Sequence, residues 1–166
     1  QLAALAAKHP RVLALPRREN IGFAAGINLA ARNSTRPFML LLNPDAIVQG
    51  PVPRVLEQWL IDHPDTAVAG PRIFNADGTV QASARRFPGI SAALGGRSTW
   101  LSQRYPNNWF SRRHLLGLTS DTPLDVDWLA GSCLMTTRAA FAQVGGFAQQ
   151  FFLYWEDAAY CRRLKA

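Results

Sequence analysis

Apolar and polar positions along the chain follow two spacings, and the spacing changes at proline, glycine and asparagine. "RVLAL" (11–15) is a short apolar run with the make-up of a strand, and the loop "PRRENIGF" follows it. In "AAGINLAARN", Ala24, Ile27 and Ala31 recur at helical intervals and line one face. "FMLLLN" (38–43) is almost wholly apolar, as in a strand covered on both faces, and it stops abruptly at Asn43-Pro44-Asp45. "PVPRVLEQWLIDHP" carries a proline near its start and Val55, Leu56, Trp59 and Leu60 on one side. With Pro64 as its stop, it predicts a helix. "TAVAGPRIF" predicts another strand, with "NADG" as the tight turn after it.

The order strand, loop, helix, strand, helix, strand predicts an α/β domain with a largely parallel sheet and helices on both faces. From 87 to 125 the pattern loosens into mixed Gly, Ser, Pro, aromatic and Arg residues, the signature of a long functional loop. Regularity returns at "DVDWLAGSCLMTT", a strand pair or bent strand. "RAAFAQVGG" then predicts a short helix ended by glycines, and a terminal helix starts near Glu156. No internal repeat is visible. The 166 residues suit a single domain, 1–166, with a core of its own. The chain opens without Met and closes inside an expected helix, so it reads as an excised piece of a longer protein.

Composition changes this picture only slightly. Eighteen Lys and Arg against eleven Asp and Glu give a formal charge of +7, which favours anionic partners. The basic residues fall largely in dispersed doublets (Arg17-Arg18, Arg85-Arg86, Arg112-Arg113, Arg162-Arg163), whose ordinary role is solvated surface. No RNA-binding or zinc-finger signature accompanies them, so nucleic acid is not the expected partner. No apolar stretch approaches the roughly 20 residues that span a bilayer. Cys133 and Cys161 are too few and too far apart for a disulfide scaffold or a zinc site, and are expected as buried thiols in a reducing, cytoplasmic setting.

Four stretches carry candidate chemistry. In "ENIGFAAGINLA", Gly22 permits a tight turn, and the helix after it offers free N–H groups to a phosphate. In "LLLNPD", Asp45 at a strand end suits a divalent cation held on substrate phosphates, with Asn43 adding a neutral oxygen. Equally, Asn-Pro-Asp makes a turn and caps the next helix. In "YWED", Glu156 and Asp157 follow the apolar "FFLYW", a partly desolvated setting that tunes a general base; the alternative is a match to the helix dipole. In "DWLAGSC", Trp128 offers a face on which sugars stack, or simply packs in the core, while Gly131 leaves room beside a strand.

Taken in order, "EN-x-GF-x-x-G-x-N", "LLNPD", "ARRFP", "DWLAGSCLMTTRAAFAQVGGF" and "FFLYWEDAAYCRRL" resemble family 2 glycosyltransferases, closest to rhamnosyltransferase-like members that build bacterial cell-surface polysaccharides. The resemblance implies a GT-A fold, Rossmann-like, with a mixed, largely parallel sheet flanked by helices. It implies inverting transfer of a sugar, rhamnose in these members, from a nucleotide diphosphate donor to a saccharide or lipid-linked acceptor. Mg²⁺ or Mn²⁺ on Asp45 is the implied cofactor, and placement at the inner face of the membrane follows. By position, Asn20, Gly22, Gly26 and Asn28 match the nucleotide side, with Asn43 and Arg86 on the donor. Trp128 and Gly131 match the sugar or acceptor pocket, and Asp157 the base, beside Glu156. The family's opening strand has no counterpart before Gln1, and Ala148, Gln149 and Ala159 stand where relatives carry acids. A non-catalytic domain that binds nucleotide sugars or carbohydrate is the alternative these departures favour.

Overall fold

The apolar run at 38–42 becomes a strand of the central sheet. The structure, a computed structural model, describes residues 2–87, 115–116 and 122–166. Its elements are α1 (Leu2–Lys8), α2 (Phe23–Arg32), β1 (Phe38–Leu42), α3 (Val52–Asp62), β2 (Val68–Ala69), β3 (Ile73–Phe74) and β4 (Val80–Gln81). They continue with β5 (Ala84–Arg85), β6 (Leu115–Leu116), β7 (Trp128–Leu129), β8 (Cys133–Thr137), α4 (Arg138–Gln143) and α5 (Glu156–Leu164). Most of the long loop expected over 87–125 lies outside the described residues.

The central sheet has the order β1-β8-β2, with Phe38 opposite Thr137 and Leu42 opposite Cys133. Its side chains divide by the two-residue period of a strand. Met39 and Leu41 join Leu134 in a cluster packed by Ala24 and Ile27 of α2, Phe141 of α4, and Tyr160, Cys161 and Leu164 of α5. Phe38, Leu40, Ala69 and Met135 face the other way, onto Leu56, Trp59 and Leu60 of α3. Helices therefore cover both faces, as the apolar run predicts. Its last residue, Leu42, is the exception at 43% exposed. Val55 is another departure: the expected inward face of α3 keeps Leu56 and Leu60 but leaves Val55 exposed.

The largely parallel sheet is not shown. Every strand pairing among the described residues is antiparallel. β1 and β2 run the same way, but β8, arriving from far along the sequence, lies between them and opposes both. "TAVAGPRIF" is likewise not one strand. It breaks at Gly70-Pro71 into β2, which pairs with β8, and β3, which forms a hairpin with β4 over the expected "NADG" turn. "RVLAL" forms no strand and pairs with none among the described residues; Val12 and Leu13 are exposed.

Long-range polar contacts lock the layers. Thr137 ends β8 and caps α4 through Ala140 N–H at 3.1 Å. Arg138 donates to the carbonyls of Ala31 and Arg36, joining α4 to the end of α2. Arg163 of α5 donates to Val144 and Gly146 carbonyls at the glycine end of α4. Tyr160 is fully buried, stacked on Phe147 with centroids 4.5 Å apart, and its hydroxyl meets Thr136 Oγ1 at 2.8 Å. Burial pushes this phenol up to about 12. Cys133 and Cys161 are free, buried thiols, both pushed up by burial.

Candidate active site

Three segments that are distant in sequence meet where β1 ends. The Asn43 N–H donates to the Ser132 carbonyl at 3.0 Å and so carries the β1–β8 pairing one residue past the strand. This places Asn43 beside the β7–β8 connection, Ala130 to Ser132. The third segment is the start of α5. Between them lies a cleft of about 610 Å³ lined by Asn43, Trp128, Gly131, Glu156 and Asp157, with Phe23 and Arg85 completing the wall.

Gly131 sits at the junction. A Cβ there would lie 3.4 Å from the Phe23 ring and 3.9 Å from Asp157 Cβ, ordinary van der Waals contact, so these walls already stand about one methyl group apart. Its N–H donates to Asp157 Oδ2 at 3.0 Å, and Ala158 N–H donates to Oδ1 at 2.7 Å. Both carboxyl oxygens of Asp157 are thereby oriented.

Glu156 sits differently. The chain enters α5 through two consecutive left-handed aromatic residues, Tyr154 at φ 69° and Trp155 at φ 71°. Such conformations are rare for bulky residues, and the turn carries Glu156 inward until it is only 6% exposed. Burial is the first cause of its raised carboxyl pKa; the Asp157 charge adds to it, and its own backbone N–H opposes. Glu156 Oε2 has no hydrogen-bond partner among the described residues, and neither does Trp128 Nε1.

The other sequence-predicted residues separate. Asn20 Oδ1 accepts from Gly22 N–H at 3.0 Å, fixing the turn before α2. Gly22 has φ +79°, and a Cβ there would come 2.8 Å from the Phe152 carbonyl oxygen, so this loop packs against the segment leading into α5. Gly26 faces open space. Asn28 is not brought to the cleft. Its amide is buried, with Nδ2 donating to Phe147 O at 2.8 Å and Oδ1 accepting from Phe147 N at 2.9 Å. Asp45 occupies the third position of a turn closed by Ala46 N–H to Asn43 O, exposed and outside the cleft lining. It does not cap α3, whose first-turn N–H groups receive no side-chain cap.

Arg86 is exposed, and Arg85 faces the cleft in its place, its guanidinium 5.0 Å over the Trp128 ring. Which of two adjacent arginines points inward depends on strand register, and the sequence carries no signal for that. Phe23 and Trp155 also escape a sequence reading; "FFLYW" reads as apolar surroundings, whereas Trp155 itself lines the cleft and lies 6.4 Å from Trp128, centroid to centroid.

Together these features define a mixed helix-and-strand domain whose cleft, at the end of a central strand, presents two acids, an arginine and indole rings. No family model matches the chain. It is 31% identical to the N-acetylglucosaminyl-diphospho-decaprenol L-rhamnosyltransferase of Mycobacterium tuberculosis, in sequences from two strains, over 90% of this chain and 52% of the relative. It is also 27% identical to a low-salt glycan biosynthesis hexosyltransferase of Haloferax volcanii, over 88% of this chain and 44% of the relative. The chain spans about half the length of the curated relatives it matches. This likeness agrees with the resemblance to family 2 glycosyltransferases that the motifs carry. No helix among the described residues is long and apolar enough to cross a membrane.

Proposed function

We propose that the protein containing this chain is an inverting glycosyltransferase of GT-A type, moving a sugar from a nucleotide diphosphate donor to a saccharide or lipid-linked acceptor. The observation that carries this reading is the meeting of Asp157 with Asn43, Trp128 and Arg85 around one cleft, in a chain related to named sugar transferases. Rhamnose is the proposed donor sugar because the mycobacterial relative is named an L-rhamnosyltransferase. The decaprenol in the same name supports a lipid-linked acceptor and, with it, work at a membrane surface.

The chemistry follows from what the residues offer. Asp157, oriented by two N–H donors, takes the proton of the acceptor hydroxyl as that oxygen attacks the anomeric carbon. The bond from that carbon to the diphosphate breaks on the opposite face, and configuration inverts. Arg85 supplies positive charge on the cleft wall toward the leaving diphosphate. The adjacent acids do not form the opposed pair, about 5–9.5 Å apart, of a glycoside hydrolase, so transfer is preferred.

Asp45 fits a divalent cation carried mainly by substrate phosphates, since such ions commonly use just one or two protein carboxylates. Its carboxylate is exposed, makes no hydrogen bond or ion pair to a described residue, and lies two residues from Asn43 in the cleft wall. Among the described residues no cluster of three or more His, Cys, Asp or Glu is available as a protein-only cage. When bound, Mg²⁺ or Mn²⁺ supplies Lewis-acid neutralisation of the diphosphate, with Asp45 and Asn43 holding it.

The test is to incubate the full-length protein with a panel of nucleoside diphospho-sugars, Mn²⁺ and a lipid-linked saccharide, reading nucleoside diphosphate release. Asp157→Asn keeps an oxygen for the Gly131 N–H and is expected to lower kcat by about 10²–10⁴ with a near wild-type melting temperature. Wild-type turnover in that variant removes Asp157 from the chemistry.

A further inference from the structure

Three buried side-chain atoms among the described residues lack a hydrogen-bond partner: Trp128 Nε1, Arg138 Nη2 and Glu156 Oε2. Folded interiors tolerate few such atoms. Arg138 is partly satisfied, because its other nitrogens donate to the Arg36 and Ala31 carbonyls. The Trp128 indole has no such relief, and the Glu156 carboxyl has only its own backbone N–H, with Oε2 left unmet. An indole has a single N–H, and Glu156 is more than nine-tenths buried. Both residues line the same cleft.

Their chemistries are complementary to one kind of group. The indole N–H only donates, whereas a carboxyl oxygen accepts. A hydroxyl satisfies both, accepting from the first and donating to the second. The surroundings narrow the ligand further. Trp155 stands 6.4 Å from Trp128 across the tilted ring pair, and Arg85 covers one face of Trp128. A ring with apolar C–H faces and several hydroxyls matches this wall, and a saccharide has both. Asp157 and Arg85, by contrast, already hold protein partners through Gly131, Ala158 and Ala82. The two unpartnered atoms are therefore those the fold leaves for something else.

Resting on the transferase reading, we propose that Trp128 and Glu156 are a hydroxyl-reading pair for a sugar in the cleft. The indole N–H donates to a sugar hydroxyl and Glu156 Oε2 accepts from one, while Asp157 remains free to take the acceptor proton. Glu156 is thus a recognition residue rather than a second base. The same hydroxyl chemistry belongs to the donor sugar and to the acceptor saccharide, and the kinetics separate them.

The experiment uses the full-length protein with nucleoside diphospho-L-rhamnose and a lipid-linked N-acetylglucosamine acceptor, and measures KM for each. Trp128→Phe keeps a ring but removes the N–H; Glu156→Leu removes the oxygen; Glu156→Gln retains one. The first two variants are expected to raise the same substrate's KM about tenfold or more, with kcat within about threefold of wild type. Glu156→Gln should restore KM to within about threefold. A donor-side shift assigns the pair to the transferred sugar, and an acceptor-side shift assigns it to the acceptor. Unchanged KM values, a loss of kcat alone, or a Glu156→Gln variant as impaired as Glu156→Leu overturns the pair and leaves the transferase reading intact. A wild-type protein that turns over no nucleotide sugar overturns the transferase reading instead. Saturation-transfer NMR with methyl α-L-rhamnopyranoside then decides the pair separately: weaker transfer in Trp128→Phe supports it, and equal transfer overturns it.

Discussion

Replacing Asn28 by Ala separates a structural role from a ligand role at a position whose motif suggests the nucleotide side. The amide makes two buried hydrogen bonds to the backbone of Phe147, at 2.8 and 2.9 Å, across 119 residues of sequence. Truncation leaves the Phe147 N–H and C=O without partners in a pocket that water does not reach easily, since Phe147 is 2% exposed. Each orphaned backbone group costs about 1–3 kcal/mol, so the pair is worth about 3 kcal/mol at the lower middle of that range. With a urea slope of about 2 kcal/mol per molar, the unfolding midpoint should fall by about 1.5 M. The assay is urea unfolding followed by circular dichroism, alongside KM for a nucleotide sugar measured where the variant is still folded. The expected outcome is lost stability with unchanged KM. A variant with wild-type stability and a raised KM would refute the structural reasoning and return Asn28 to the ligand.

Other perturbations follow from single contacts. Gly22→Ala forces a Cβ at φ +79° to within 2.8 Å of the Phe152 carbonyl oxygen, and should cost about 1–3 kcal/mol in a thermal melt. Tyr160→Phe removes the buried bond to Thr136 and should cost about 1 kcal/mol, with loss of the tyrosine that titrates near 12 in ultraviolet difference spectra. Asp127 accepts from the Phe87 N–H at 2.8 Å and, less strongly, from Lys165, which together hold its carboxyl below the ordinary value. Its folded pKa is depressed, so its contribution is present above the unfolded value of about 3.9 and is lost as pH falls through the folded one. Asp127→Asn should therefore flatten the acid side of the stability profile, as read from melting temperatures between pH 2 and 6.

What the sequence reveals about this fold is mostly local. Helices α2, α3 and α4 are legible because apolar residues recur at helical spacing and asparagine, proline or glycine, in that order, follows where they stop. β1 is legible because both of its faces are covered, which leaves no polar positions to interrupt the run. Strand direction is not local. It depends on β8 inserting between β1 and β2, a pairing of residues about 65 to 100 positions apart that no short window contains. The cleft divides the same way. Asn43, Trp128, Gly131, Glu156 and Asp157 are legible as residue types at strand and helix ends, whereas Arg85 replaces Arg86 for reasons of register alone. Asn28 shows how a motif position can hold a contact that the motif does not reveal, since its amide meets a backbone partner far along the chain.

The departures from local rules are concentrated at the cleft. Tyr154 and Trp155 are the non-glycine residues with positive φ among those described, and they deliver Glu156 to the wall. Phe152, Leu153, Tyr154 and Trp155 are all more than half exposed, although elsewhere the aromatic residues Phe147 and Tyr160 are fully packed. Two of the three partnerless buried atoms are here as well. A sequence selected for stability alone would replace the aromatic pair with glycine or asparagine at the left-handed positions and remove the buried acid. Keeping them means that the core formed by Leu41, Leu134, Phe147 and Tyr160 offsets strain and desolvation in the adjoining cleft. Binding of a hydroxylated ring relieves part of that desolvation, so occupancy of the cleft and stability of the fold should rise together, and a saturating sugar ligand should raise the melting temperature of the wild type more than that of Glu156→Leu.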